Sequence, residues 1–173
     1  MEKNRQPLPE ELLSAGFVLS KGLLLRAEKG TDPEEVLLPA GVTGIANGCF
    51  TGCGKLRRAV LPDSLREIGV GAFMGCVSLR ELRLPAGLIR IRKETFSNCS
   101  ALEEISVPMG VESIGEWAFR SCTSLHTVIL PDSLREICAE VFLDCPKLTI
   151  RARENSAGAA HARLFGIPLE IME

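Results

Sequence analysis

The chain has 173 residues, 46% of them hydrophobic and 24% charged, with 20 Lys and Arg against 22 Asp and Glu for a formal net charge of −2. That balance excludes a disordered chain and a general nucleic-acid coat, and it fits one globular domain. No apolar run reaches the ~20 residues a membrane helix needs, since Leu23, Leu24 and Leu25 are closed by Arg26.

Taken in chain order, Pro9 to Ala15 reads as a short helix stopped by Gly16, after a polar and mobile stretch at 1–6. Glu10, Glu11 and Lys21 interrupt any export signal, so the chain as written is expected to be cytoplasmic. Removal of an export signal would place it instead at the cell surface or outside the cell. Phe17 to Leu19 and Leu23 to Leu25 flank Lys21-Gly22 as a hairpin, followed by a turn at Gly30 to Pro33 and a strand at Val36 to Leu38.

From there one period governs the chain. Cys53, Cys76, Cys99, Cys122 and Cys145 recur every 23 residues, and the same spacing relates Phe50, Phe73, Phe96, Phe119 and Phe142. Pro39, Pro62, Pro85, Pro108 and Pro131 share it, giving five units at 38–60, 61–83, 84–106, 107–129 and 130–152. In the second unit Leu79, Leu82 and Leu84 point inward and Glu81 and Arg83 outward, until Pro85 ends the strand. Leu65 and Ile68 mark a second short extended piece. The GAFMGC segment turns the corner with Phe73 and Cys76 buried, and each Cys follows a turn former: Gly52, Gly75, Asn98, Ser121 or Asp144. One unit cannot bury its own apolar side, so the units must stack with their strands parallel. Ser156 then caps a helix over Ala157 to Phe165 that stops at Gly166, and Ile167 to Ile171 closes the stack as a strand. Three segments follow: a tail and hairpin cap at 1–37, repeats at 38–152 and a C-terminal cap at 153–173.

The run Ile68, Ala72, Phe73, Cys76, Leu79, Leu82, Leu84, Pro85 resembles the BspA-like class of leucine-rich repeats, and the match covers all five units. The fold expected is an α/β leucine-rich-repeat solenoid: a strand-dominated right-handed superhelix with short turn, 3₁₀ or helical corners, a hairpin cap and a helix–strand cap. The resemblance implies a surface protein engaged in adhesion or in binding host proteins.

Chemistry-bearing residues are sparse. Parallel neighbouring strands hold Cβ atoms near ~4.8 Å apart where a disulfide wants ~3.8 Å, so the Cys column reads as small buried hydrophobes. Cys49 falls in a core column, and Cys138 is expected to be the accessible thiol. Gly69-x-Gly71 with Gly75 imitates a phosphate loop but belongs to the repeat turns, and His126 and His161 join no metal or catalytic motif. No catalytic residue, cofactor or metal is expected, and the repeats encode no pocket. Charge runs along the axis instead: residues 51–100 hold nine Lys and Arg against four acids, and residues 101–150 hold three against eight. The expected function is a non-enzymatic platform for a protein partner, presented by a monomer without nucleic acid or membrane insertion. Self-assembly through the oppositely charged ends is the structural alternative. Candidate contacts are Arg57, Arg58, Arg80, Arg83, Glu103, Glu104, His126 and Ile129 on the strand face, with Trp117, which stands in a column of Gly and Glu.

Overall fold

The computed structural model describes residues 17–27 and 32–173. The helix expected at Pro9 to Ala15, the stretch at 1–6 expected to be mobile and part of the Gly30 to Pro33 turn lie outside the described residues. The hairpin forms as β1 (Phe17–Ser20) and β2 (Leu23–Ala27), antiparallel. Thereafter each turn of chain contributes a three-residue strand on one face and a two-residue strand on the next. The longer strands are β3 (Glu35–Leu37), β5 (Arg58–Val60), β7 (Glu81–Arg83), β9 (Glu104–Ser106) and β11 (Thr127–Ile129). The shorter ones are β4 (Gly44–Ile45), β6 (Glu67–Ile68), β8 (Arg90–Ile91), β10 (Ser113–Ile114) and β12 (Glu136–Ile137). β13 (Thr149–Arg153), α1 (Ala157–Phe165) and β14 (Leu169–Met172) form the C-terminal end.

All pairings after the hairpin are parallel, and within the repeats they are offset by one unit, as in Arg58 opposite Glu81 and Val60 opposite Arg83. The lead-in is itself part of the stack, because β3 pairs with β5 and β2 pairs with β4. The solenoid therefore makes about six turns where the Cys column counts five. At the other end the closing strand runs Leu169–Met172, slightly later than the sequence suggests, and pairs in parallel with β13. Ser156 Oγ accepts from the Ala159 amide, and Gly166 ends α1 in the left-handed region at φ 64°.

The third side of the coil is a corner with no strands. Both of its turn positions are left-handed: Gly52, Gly75, Asn98, Ser121 and Asp144 in one column, and Gly48, Gly71, Glu94 and Trp117 in the other. This alternation aims backbone amides along the stack, so Phe73 N–H donates to the Thr95 carbonyl at 2.9 Å and Gly75 N–H to the Ser97 carbonyl at 2.8 Å. Inside the corner the five phenylalanines stack at centroid spacings of 4.9, 5.6, 5.4 and 5.6 Å.

The cysteines do more than fill volume. The Sγ of Cys76, Cys99, Cys122 and Cys145 donates to the carbonyl of Phe50, Phe73, Phe96 and Phe119 respectively, at 3.1–3.2 Å. Burial pushes the Cys99 thiol up to about 12 and raises Cys76 further. Cys138 is partly exposed as expected, and so is Cys145.

The two strand faces are each interrupted at the same place. One sheet runs β3-β5-β7 and a separate one β9-β11-β13-β14; the short face likewise divides into β1-β2-β4-β6 and β8-β10-β12. Between the second and third units only the corner remains laddered. Ser64 and Ser133 donate their hydroxyls to carbonyls of the preceding unit, Val42 and Val111, while Gly87 and Gly110 occupy the same column in the third and fourth units. Arg66 folds over Gly87, with a guanidinium nitrogen 2.0 Å from where a Cβ on that glycine would stand.

Candidate functional site

Strand pairing arranges the outward side chains of the long face in columns. Glu34, Arg57, Arg80, Glu103 and His126 share one; Glu35, Arg58, Glu81, Glu104 and Thr127 the next; Leu37, Val60, Arg83, Ser106 and Ile129 the third. Eight of the nine residues expected at a partner site thus lie on one surface. They differ in what they are free to do. Arg57 pairs with Glu34 at 3.3 Å, and Arg58 bridges Glu35 at 2.6 Å and Glu81 at 3.2 Å. Arg80, Arg83, Glu103 and Glu104 form no ion pair among the described residues. His126 Nδ1 lies 2.9 Å from Thr127 Oγ1, and Ile129 is half-buried.

Around Arg83 the surface is concave. A depression of about 460 Å³ is lined by residues that include Arg58, Val60, Pro62, Leu82 and Arg83. Leu82 is only half-buried, although Val36, Ala59, Ile105, Val128 and Ile150 in its column are buried. The break between β7 and β9 explains the difference, because the next strand is not drawn onto it. Leu37, which is not among the residues expected at the site, stands beside Val60 in the same column and is 60% exposed. It precedes the first unit, so the repeat pattern alone does not mark it; its place after Val36 in the lead-in strand does.

Trp117 does not join this surface. It sits on the corner, where its Nε1 donates to Glu140 Oε2 at 2.6 Å and Lys93 Nζ lies 4.4 Å from the ring centroid. The phosphate-loop mimic also resolves into turn geometry: Gly71 and Gly75 are left-handed corner positions, and a Cβ on Gly69 would fall 2.4 Å from the Asn47 amide nitrogen.

The expectation that the repeats encode no pocket concerns the repeats alone. Where α1 meets the last corner an apolar groove of about 410 Å³ opens, lined by residues that include Phe142, Leu143, His161 and Phe165. The repeats do not encode it because it exists only where they stop. His161 sits edge-on to Phe142, with ring centroids 5.9 Å apart. Its desolvation lowers the imidazole pKa below the ordinary 6.5, so the ring is neutral near pH 7. Among the described residues no group of three or more His, Cys, Asp or Glu could hold a metal ion, and no helix is long and apolar enough to cross a membrane.

Comparison with known proteins places this geometry. The model of the BspA type leucine rich repeat region matches residues 29–149 in six copies. The crystal structure of a leucine-rich repeat protein from T. pallidum is similar over 78% of this chain and 67% of its own, at 36% identity and a TM-score of 0.72. A leucine-rich cell surface protein from Faecalibacterium prausnitzii matches over 84% of this chain but 39% of its own, at 27% identity and a TM-score of 0.76. A leucine-rich repeat protein from Bacteroides ovatus matches over 90% of this chain and 51% of its own, at 25% identity and a TM-score of 0.62. No curated protein matches the sequence.

Proposed function

Because the chain belongs to the BspA-type leucine-rich-repeat family, we propose that it is a non-enzymatic protein-binding platform working through its long-strand face. The observation that carries this reading is the concave patch at the second unit. Arg80 and Arg83 hold charge that no described neighbour neutralises, beside the half-exposed Leu82 and the exposed Val60. Apolar anchors framed by uncommitted guanidinium groups suit a protein surface that offers a carboxylate and an aliphatic or aromatic side chain. Arg57 and Arg58 contribute less, since their glutamate partners already satisfy them.

The test is retention of a partner from source-cell lysate on immobilised protein, comparing wild type with Arg80→Glu/Arg83→Glu. Both arginines lie on the surface, so the variant should keep its fold. Loss of a specific protein, and a fall in retention with rising salt for wild type, is the expected result. Equal retention by the variant would remove the long-strand face from the mechanism.

A surface-exposed setting is the second reading, supported by the Faecalibacterium protein described as a cell surface protein. Immunolabelling of intact source cells would detect it.

A further inference from the structure

The corner ladder is one-directional. In each of the first four units the amide of the Phe donates to the following unit: Phe50 to Ala72, Phe73 to Thr95, Phe96 to Ala118 and Phe119 to Val141, at 2.7–3.0 Å. The residue two places on does the same, from Gly52, Gly75, Asn98 and Ser121 to Met74, Ser97, Arg120 and Leu143, at 2.7–2.8 Å. In the fifth unit the corresponding amides belong to Phe142 and Asp144, and neither has an acceptor among the described residues. β14 continues the stack on the long-strand face, but on the corner, among the described residues, only α1 follows, and it adds no rung to the backbone ladder. The apolar groove lies there. Phe165 and Leu143 flank it at 44% and 41% exposure, and His161, only 6% exposed, presents an Nε2 with no hydrogen-bond partner. The charged residues on its rim are both acids, Glu140 and Asp144.

We propose that this groove is a second docking site, distinct from the long-strand face. Its occupant is a partner's polypeptide segment with one large apolar side chain and a basic flank, whose alternate carbonyls accept from the Phe142 and Asp144 amides. The chain itself shows the mode. The corner of the third unit, at 91–98, lays Phe96 against Phe73 and sets the Thr95 and Ser97 carbonyls on the Phe73 and Gly75 amides, with Arg92 and Lys93 ahead of them beyond Glu94. A visiting segment would repeat the carbonyl placement one unit beyond the last and, since His161 already lies on Phe142, set its apolar side chain against the exposed Phe165 and Leu143, adding backbone pairing to apolar burial as edge-adding peptides do.

The probe is therefore an acetylated, amidated peptide with the sequence of residues 91–98, titrated into the full chain while amide signals are followed by NMR. Binding should shift the Phe142 and Asp144 amides and slow their hydrogen exchange about tenfold or more. Leu143→Asp and Phe165→Asp change exposed side chains, and each should weaken binding about tenfold while leaving signals elsewhere in place. The Phe96→Ala form of the peptide should not bind. Absence of shifts at millimolar peptide, or shifts confined to other surfaces, would overturn the proposal. If raising the protein concentration alone perturbs the same two amides, a second copy fills the groove and the partner-segment assignment is wrong.

Discussion

Trp117 is tied to Glu140, one unit further on, by a 2.6 Å hydrogen bond from its indole, and it stands at a corner position whose backbone is left-handed, here at φ 58°. A left-handed conformation costs a non-glycine residue roughly 1–2 kcal/mol. Trp117→Gly removes that strain along with the indole contacts, so the two effects offset and stability should move by less than about 1 kcal/mol. Trp117→Val loses the contacts and keeps the strain in its least tolerated form. Urea unfolding should put the Val midpoint clearly below the Gly midpoint; coincident midpoints would deny the strain.

The phenylalanine stack predicts a gradient. Phe96 is fully buried with a ring on either side, so Phe96→Ala should cost about 3–5 kcal/mol. Phe142 borders the open groove, where water can reach the space left behind, and Phe142→Ala should cost less. Chemical denaturation of the two variants checks the order.

Two glycines separate crowding from flexibility. A methyl group at Gly69 would meet the Asn47 nitrogen at 2.4 Å and the Ala46 carbonyl carbon at 2.5 Å, both backbone atoms that cannot swing aside. Gly54 has nothing nearer than 3.8 Å. Thermal melts should show Gly69→Ala strongly destabilised, by about 1–3 kcal/mol or more, and Gly54→Ala unchanged or slightly stabilised.

How far these features were legible in the sequence follows from what a repeat can encode. The period fixes the Phe and Cys columns, the inward leucines and the corner turns, because every unit restates the same demand for burial. Ser121 and Asp144 adopt the left-handed turn just as Gly52 and Gly75 do, which their alignment with glycine already implied. Features between units or beyond the last one escape this logic. The Cys–Phe carbonyl bonds join residues 26 apart, three more than the period, and the groove needs the helix cap to form its wall. The strand-face arginines were legible as a stack, but which of them are neutralised depended on glutamates in the lead-in.

Alkaline pH should weaken the fold through the buried thiols. Cys99 ionises at an ordinary value of 9.0 when unfolded and at about 12 when folded, so between these values the unfolded chain releases a proton that the native chain retains. The native state then loses about 1.4 kcal/mol per pH unit for that thiol, starting near pH 9 and levelling off near pH 12. Cys99→Ala should flatten this part of the stability profile measured by urea unfolding. A slope identical to wild type would show that the thiol stays neutral in neither state or in both.

The paired breaks at β7/β9 and β6/β8 bear on cooperativity. In a linear array the stability of the whole is close to a sum of unit terms and nearest-neighbour couplings, and partial unfolding begins at the weakest coupling. Here that coupling lies between the second and third units, where backbone bonding survives on one side of the coil in three. On this reading the chain comprises two foldons joined along the phenylalanine corner. Either block can then fray without melting the other, and the boundary that divides them is also the edge of the depression around Arg83.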